Sequence, residues 1–71
     1  MNLVGVKITV TDVKKAGICM REARAWCARN NISLSELLSG GVDAQQFWDT
    51  GDGYAQLIVR RKLEREGLTN G

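Results

Sequence analysis

The chain has no histidine and only two cysteines among its 71 residues. Without histidine it lacks the commonest metal ligand and the commonest general base of proteins. A zinc site would need carboxylates or a second chain to complete what Cys19 and Cys27 begin, so no metal and no cofactor is expected. The two cysteines fall in a segment that reads as one helix, which at ~1.5 Å rise per residue sets their backbones roughly 12 Å apart, beyond disulfide reach. They read as small buried hydrophobes in a reducing compartment. No apolar run approaches the ~20 residues of a membrane span. The opening MNLVGVKITVT alternates in polarity and does not fit a secretory signal, so a cytoplasmic protein is expected. A net charge of +2 permits nucleic-acid contact without arguing for it.

The length allows one domain, residues 1–71, near the size where a single core only just outweighs chain entropy. Val4, Val6, Ile8 and Val10 alternate with Gly5, Lys7, Thr9 and Thr11, which predicts a strand over about 4–11 with one buried face. A lone strand leaves its backbone polar groups unpaired. Pairing of two copies across a homodimer is the first expectation for completing it. A cryptic second strand, or docking to another protein's sheet, are the alternatives.

The rest reads as helix. Asp12 is placed to cap a first turn, and Gly17 breaks or weakens it. Over about 17–30, Cys19, Met20, Ala23, Trp26 and Cys27 share one helical face, with Arg21, Arg24 and Ala28 opposite. Asn30 and Asn31 suit the left-handed turn that ends such a helix. Ser33 and Glu36 form a capping box, and Ile32 and Leu37 a hydrophobic staple, for a helix over about 34–39 that Gly40-Gly41 ends. Asp43, Gln46, Val42 and Phe47 repeat that design for a helix over about 44–49. Asp52 caps the last helix, about 53–66, in which Tyr54, Ala55, Leu57, Ile58 and Val59 cover most of the circumference and predict burial on most sides. Residues 67–71 read as a frayed tail. The fold class expected is mainly α: one N-terminal strand followed by a small bundle of three to four helices.

Little in this arrangement resembles catalysis. Asp49-Thr50-Gly51 spells the aspartic-protease triplet, but that site needs its aspartate on a loop between strands, in two copies sharing a proton. Here the triplet sits between helices. Gly51 and Gly53 lack the lysine and hydroxyl residue of a phosphate-binding loop. Ser33, Ser35 and Ser39 have no histidine to activate them. With Asp12, Asp43 and Asp52 assigned to helix starts, no acid–base pair remains, and a non-enzymatic protein is expected.

Recognition is better represented. LIVRRKLER, residues 57–65, carries Arg60, Arg61, Lys62 and Arg65, but the cations point several ways around the helix among Glu64 and Glu66. A solvated helix end, with Glu64 paired to Arg60 or Arg61, accounts for them better than a nucleic-acid footprint does. Trp26 reads as core. Trp48 adjoins Phe47 on a helix too short to bury both rings on one side, so one ring is expected to face a partner. Lys7, Thr9 and Thr11 form the polar face of the strand. Ribbon-helix-helix repressors read DNA with such a face, which makes a small dimeric DNA-binding regulator the runner-up function.

Residues 16–64 resemble a group of very small proteins encoded among the virion morphogenesis genes of tailed bacteriophages and proteobacterial prophages. The pattern is Ala16-Gly17, Cys19-Met20-Arg21, Ala23-Arg24-Ala25-Trp26, the Leu34–Gly41 helix, and Thr50-Gly51-Asp52 opening a final aliphatic helix. The resemblance implies a phage accessory protein in the cytoplasm of a bacterial host that binds a phage or host protein and modulates virion assembly or phage production. An inhibitor of a host defence or regulatory protein fits the same letters. Arg21 and Arg24, beside small Ala25 and Ala28, are the positions matching a shared surface. With Trp48, Arg60 and Arg61 they make the expected partner-binding set.

Overall fold

In the computed structural model, which describes residues 3–67, the alternating start of the chain yields a strand of only two residues, β1 (Lys7–Ile8). The reason is local. Gly5 takes φ +80°, and Val6 N–H closes a turn onto the Leu3 carbonyl at 3.1 Å, so the alternation is interrupted before it can pair. On the other side, the Asp12 carboxylate accepts hydrogen bonds from Thr9 N–H at 2.8 Å and from the Thr9 hydroxyl at 3.1 Å. These bonds draw the chain into helix α1 (Val10–Lys15), with Thr9 as its N-cap and Asp12 in its first turn. The expected strand over 4–11 is therefore shortened at both ends, and the cap moves from Asp12 to Thr9.

The strand finds its partner within the chain. Val42–Asp43 forms β2 and pairs antiparallel with β1, Lys7 opposite Asp43 and Ile8 opposite Val42. Ala44 N–H extends the ladder to the Val6 carbonyl at 2.9 Å. This is the cryptic second strand, the alternative to pairing between two copies. Gly41 makes the approach close: at φ +96°, the place of its missing Cβ lies 3.0 Å from the Lys7 Cβ and 3.1 Å from the Ile8 carbonyl oxygen.

Four further helices follow: α2 (Met20–Arg29), α3 (Leu34–Ser39), α4 (Ala44–Asp49) and α5 (Gly53–Arg65). Gly17, at φ +85°, ends α1 rather than lying within α2, so the helix expected over 17–30 starts at Met20. Asn31 adopts φ 55° after α2, as the asparagine pair predicts. The Ser33 side chain accepts from Glu36 N–H, and the Asp52 side chain from Ala55 N–H, as helix caps. Asp43 occupies the N-cap position of α4 without a side-chain cap bond, because its carboxylate pairs with Lys7 at 2.8 Å instead.

The core lies where α5, α4 and the small sheet meet. Ile8, Leu37, Val42, Phe47 and Val59 are fully enclosed, with Ala23, Cys27, Ile58 and Leu63 packed around them. Trp26 stacks at a tilt on Phe47, ring centroids 5.0 Å apart. Several expectations of burial fail, beginning with Val4, which was expected on the buried face of the strand and is 89% exposed. Tyr54 and Leu57 face solvent at 67% and 37% exposure, because α5 buries only the side carrying Ala55, Ile58, Val59 and Leu63. Cys19 is exposed at the α2 N-cap, ahead of the helical face on which it was counted. Gln46 is exposed, with no hydrogen bond to the start of α4 among the described residues. The tail at 68–71 lies outside the described residues.

Candidate functional site

The cationic end of α5 divides into two sets with different duties. Lys62 and Arg65 turn inward to Asp12 of α1. Lys62 Nζ donates to Asp12 Oδ2 at 3.0 Å, and Arg65 Nη2 donates to Oδ1. Lys62 also meets Glu66 at 3.4 Å. The Asp12 side chain is 6% exposed and that of Lys62 13%. Burial alone would raise the Asp12 carboxyl's pKa, but Thr9 N–H, the Lys62 ammonium and the Thr9 hydroxyl together outweigh it and hold the group below its ordinary value. These two cations are thus a clasp between the first helix and the last, not a solvated end.

Arg60 and Arg61 turn outward. The Arg60 guanidinium carbon stands 5.6 Å from the centroid of the Trp48 ring, in cation–π reach. Trp48 is half-buried against the core, so one side of its ring is anchored. Gln56 fixes the junction of α4 and α5 by donating to the Trp48 carbonyl at 3.3 Å. Arg61, Leu57 and Tyr54 lie on the same solvent side of α5 as Arg60. Among the described residues Glu64 makes no ion pair with Arg60 or Arg61, so the surface keeps its positive character. Sequence reasoning placed Trp48, Arg60 and Arg61 in one set, and the structure brings the first two into contact. Tyr54 and Leu57 were missed as members. Their exposure follows from the packing direction of α5 and not from spacing alone, since Tyr54 lies one turn before buried Ile58.

Arg21 and Arg24 are exposed on α2, with no ion pair among the described residues. They do not anchor the Asp49–Asp52 turn: Asp49 accepts from Gln45 at 2.8 Å, and Asp52 caps α5. Asp49-Thr50-Gly51 is a helix-ending turn, with the Thr50 hydroxyl donating to the Phe47 carbonyl at 2.8 Å and Gly51 at φ +75°.

The three residues expected to read DNA share no strand face. Lys7 is paired with Asp43, which raises its pKa through their hydrogen bond and mutual attraction. Thr9 is a helix cap, and Thr11 lies within α1. The ribbon premise therefore loses its structural basis.

Among the described residues, no three Cys, Asp or Glu side chains gather as a metal site, and no helix is long and apolar enough to cross a membrane. Compared with known proteins, the chain matches no family, no curated protein and no solved structure.

Proposed function

We propose that the chain is a non-enzymatic, phage-encoded regulator that binds a protein partner and through it modulates virion assembly or phage production. The observation carrying the binding part is the Trp48–Arg60 stack, flanked on the solvent side of α5 by Arg61, Leu57 and Tyr54. Tryptophan, tyrosine and arginine are the residues most often found as anchors of protein interfaces. Here a half-buried indole holds one guanidinium in place, which lowers the entropy lost when a partner docks. The surface favours a partner patch with an apolar centre and carboxylates around it. The mechanism is occlusion: a small rigid body covers a surface that the partner needs elsewhere. The assignment to phage rests on the sequence resemblance of residues 16–64.

The test is affinity capture on tagged chain from phage-infected cells, comparing the native protein with Arg60→Glu/Arg61→Glu and with Trp48→Ala. A discrete partner retained by the native chain and released by both variants supports the reading. Equal recovery with all three chains removes this surface from it.

A further inference from the structure

Helices α1 and α2 are joined by the four residues 16–19, in which Gly17 at φ +85° turns the chain. Gly17 N–H donates to the Lys14 carbonyl at 2.9 Å and Ile18 N–H to the Val13 carbonyl at 3.4 Å, closing the turn. Val13 of the first helix and Ala23 and Cys27 of the second are buried in one core, with Ile18 and Trp26 packed against it. A first helix, a short turn containing glycine and a second helix make up the helix-turn-helix unit.

We propose that this unit binds duplex DNA, with α2 as the helix that enters the major groove. The inference goes beyond the protein-binding reading and does not rest on it. Three observations carry it. First, the outward face of α2 is slim and cationic. Arg21, Arg24, Ala25 and Ala28 follow at i, i+3, i+4 and i+7, all exposed, on the side away from buried Ala23 and Cys27. The alanines let the helix sink into a groove about 12 Å wide. Both arginines lie in the N-terminal half of α2, the part of such a helix that meets base edges.

Second, charge is divided unevenly along the chain. Residues 14–29 carry five cations and one acid, net +4, whereas the remainder carries five cations and seven acids, net −2. Lys14, Lys15, Arg21 and Arg24 are exposed and form no ion pair among the described residues. Glu22, the one acid of this stretch, lies round the helix toward Trp26 and accepts from the Cys19 thiol at 3.3 Å. The two lysines end α1, the helix that crosses the phosphate backbone in units of this kind.

Third, the face lacks what other anionic partners need. Among the described residues of α2, the exposed side chains include no large apolar group. Neither the anchors of a protein interface nor the apolar stripe of a membrane-surface helix is therefore present on it. The deep, narrow major groove of duplex RNA does not admit side chains. B-form DNA is the match that remains, with phosphates for the lysines and guanine O6 and N7 for the paired N–H groups of each arginine.

The probe is a fluorescein-labelled random-sequence DNA duplex of about 20 base pairs, titrated with the full chain and read by anisotropy. Saturable binding is expected, weakening by about 10- to 100-fold between roughly 50 and 200 mM salt. Lys14→Ala/Lys15→Ala should make the salt slope shallower by about 2. Arg21→Glu/Arg24→Glu should weaken binding at least about tenfold, whereas Arg60→Glu/Arg61→Glu, an equal change of charge, shifts it by less than about threefold. The substituted positions are all exposed, so the fold is kept. Selection from a random duplex pool tests base reading: the native chain enriches a guanine-containing motif, and Arg21→Lys/Arg24→Lys binds DNA but loses that enrichment. No binding at low salt, equal weakening by the two double-glutamate variants, a pool that stays random, or equally tight binding of duplex RNA would each overturn the inference.

Discussion

Lys62 of the last helix donates to Asp12 of the first at 3.0 Å, across fifty positions of sequence and almost out of contact with water. A contact of this kind ties the ends of a small domain together, with Arg65 closing the other side of the same carboxylate. Removing one member of a buried ion pair leaves the others uncompensated.

Asp12→Asn is therefore expected to destabilise the chain by about 1–3 kcal/mol, below the usual loss for a buried pair because Arg65 and Lys62 retain some contact with water. The pH dependence has a definite sign. The Asp12 carboxyl titrates lower folded than unfolded, so its contribution is complete above the unfolded carboxylate range and is lost as pH falls through the folded value. Urea unfolding of native and Asp12→Asn chains at neutral and acid pH should show the gap narrowing on acidification.

Gly41→Ala is expected to cost about 1–3 kcal/mol, since a non-glycine residue is strained at positive φ and here would also be crowded. The new Cβ would press on the Lys7 Cβ and the Ile8 carbonyl, which belong to β1. Denaturation midpoints for Gly41→Ala and Gly40→Ala distinguish the two positions, because space is open at Gly40 and its φ is negative.

The two thiols should separate cleanly by reactivity. Cys19 is exposed, whereas Cys27 is buried and its pKa is pushed up by that burial. A thiol reagent at neutral pH is expected to modify one cysteine promptly and the second only at the rate of unfolding. Mass mapping should assign the fast site to Cys19.

Arg60→Ala is expected to alter stability by less than about 1 kcal/mol, the scale of an exposed cation–π contact. It should nevertheless shift the Trp48 emission, because the cation leaves the ring. Fluorescence and urea unfolding on one sample distinguish a recognition residue from a structural one.

Much of the helical framework was legible in the sequence, and the reasons are local. Ser33 and Asp52 announce their helices by oxygens that reach nearby N–H groups, and Asn31 announces the end of α2 by tolerating φ 55°. The strand was overread because alternation of β-branched residues cannot show that Gly5 turns the chain or that Thr9 caps a helix. Its partner, Val42–Asp43, is two residues long and carries no periodic signal. Asp12 was misread for a deeper reason: a local capping role explained it sufficiently, and nothing in the letters links it to Lys62 and Arg65. The candidate surface was partly legible. Trp48 and Arg60 follow from the shortness of α4 and the position of the arginines, but the exposure of Tyr54 and Leu57 needed the packing direction of α5.

The measurement that bears most directly on the proposed regulation is the yield of intact virions from infected cells expressing the chain at graded levels, with phage transcripts measured in parallel. Particle yield should change with expression of the native chain while transcripts stay constant, and the change should vanish for Arg60→Glu/Arg61→Glu produced at equal level. An unaltered yield over the whole range, or the same change with the double variant, would contradict it.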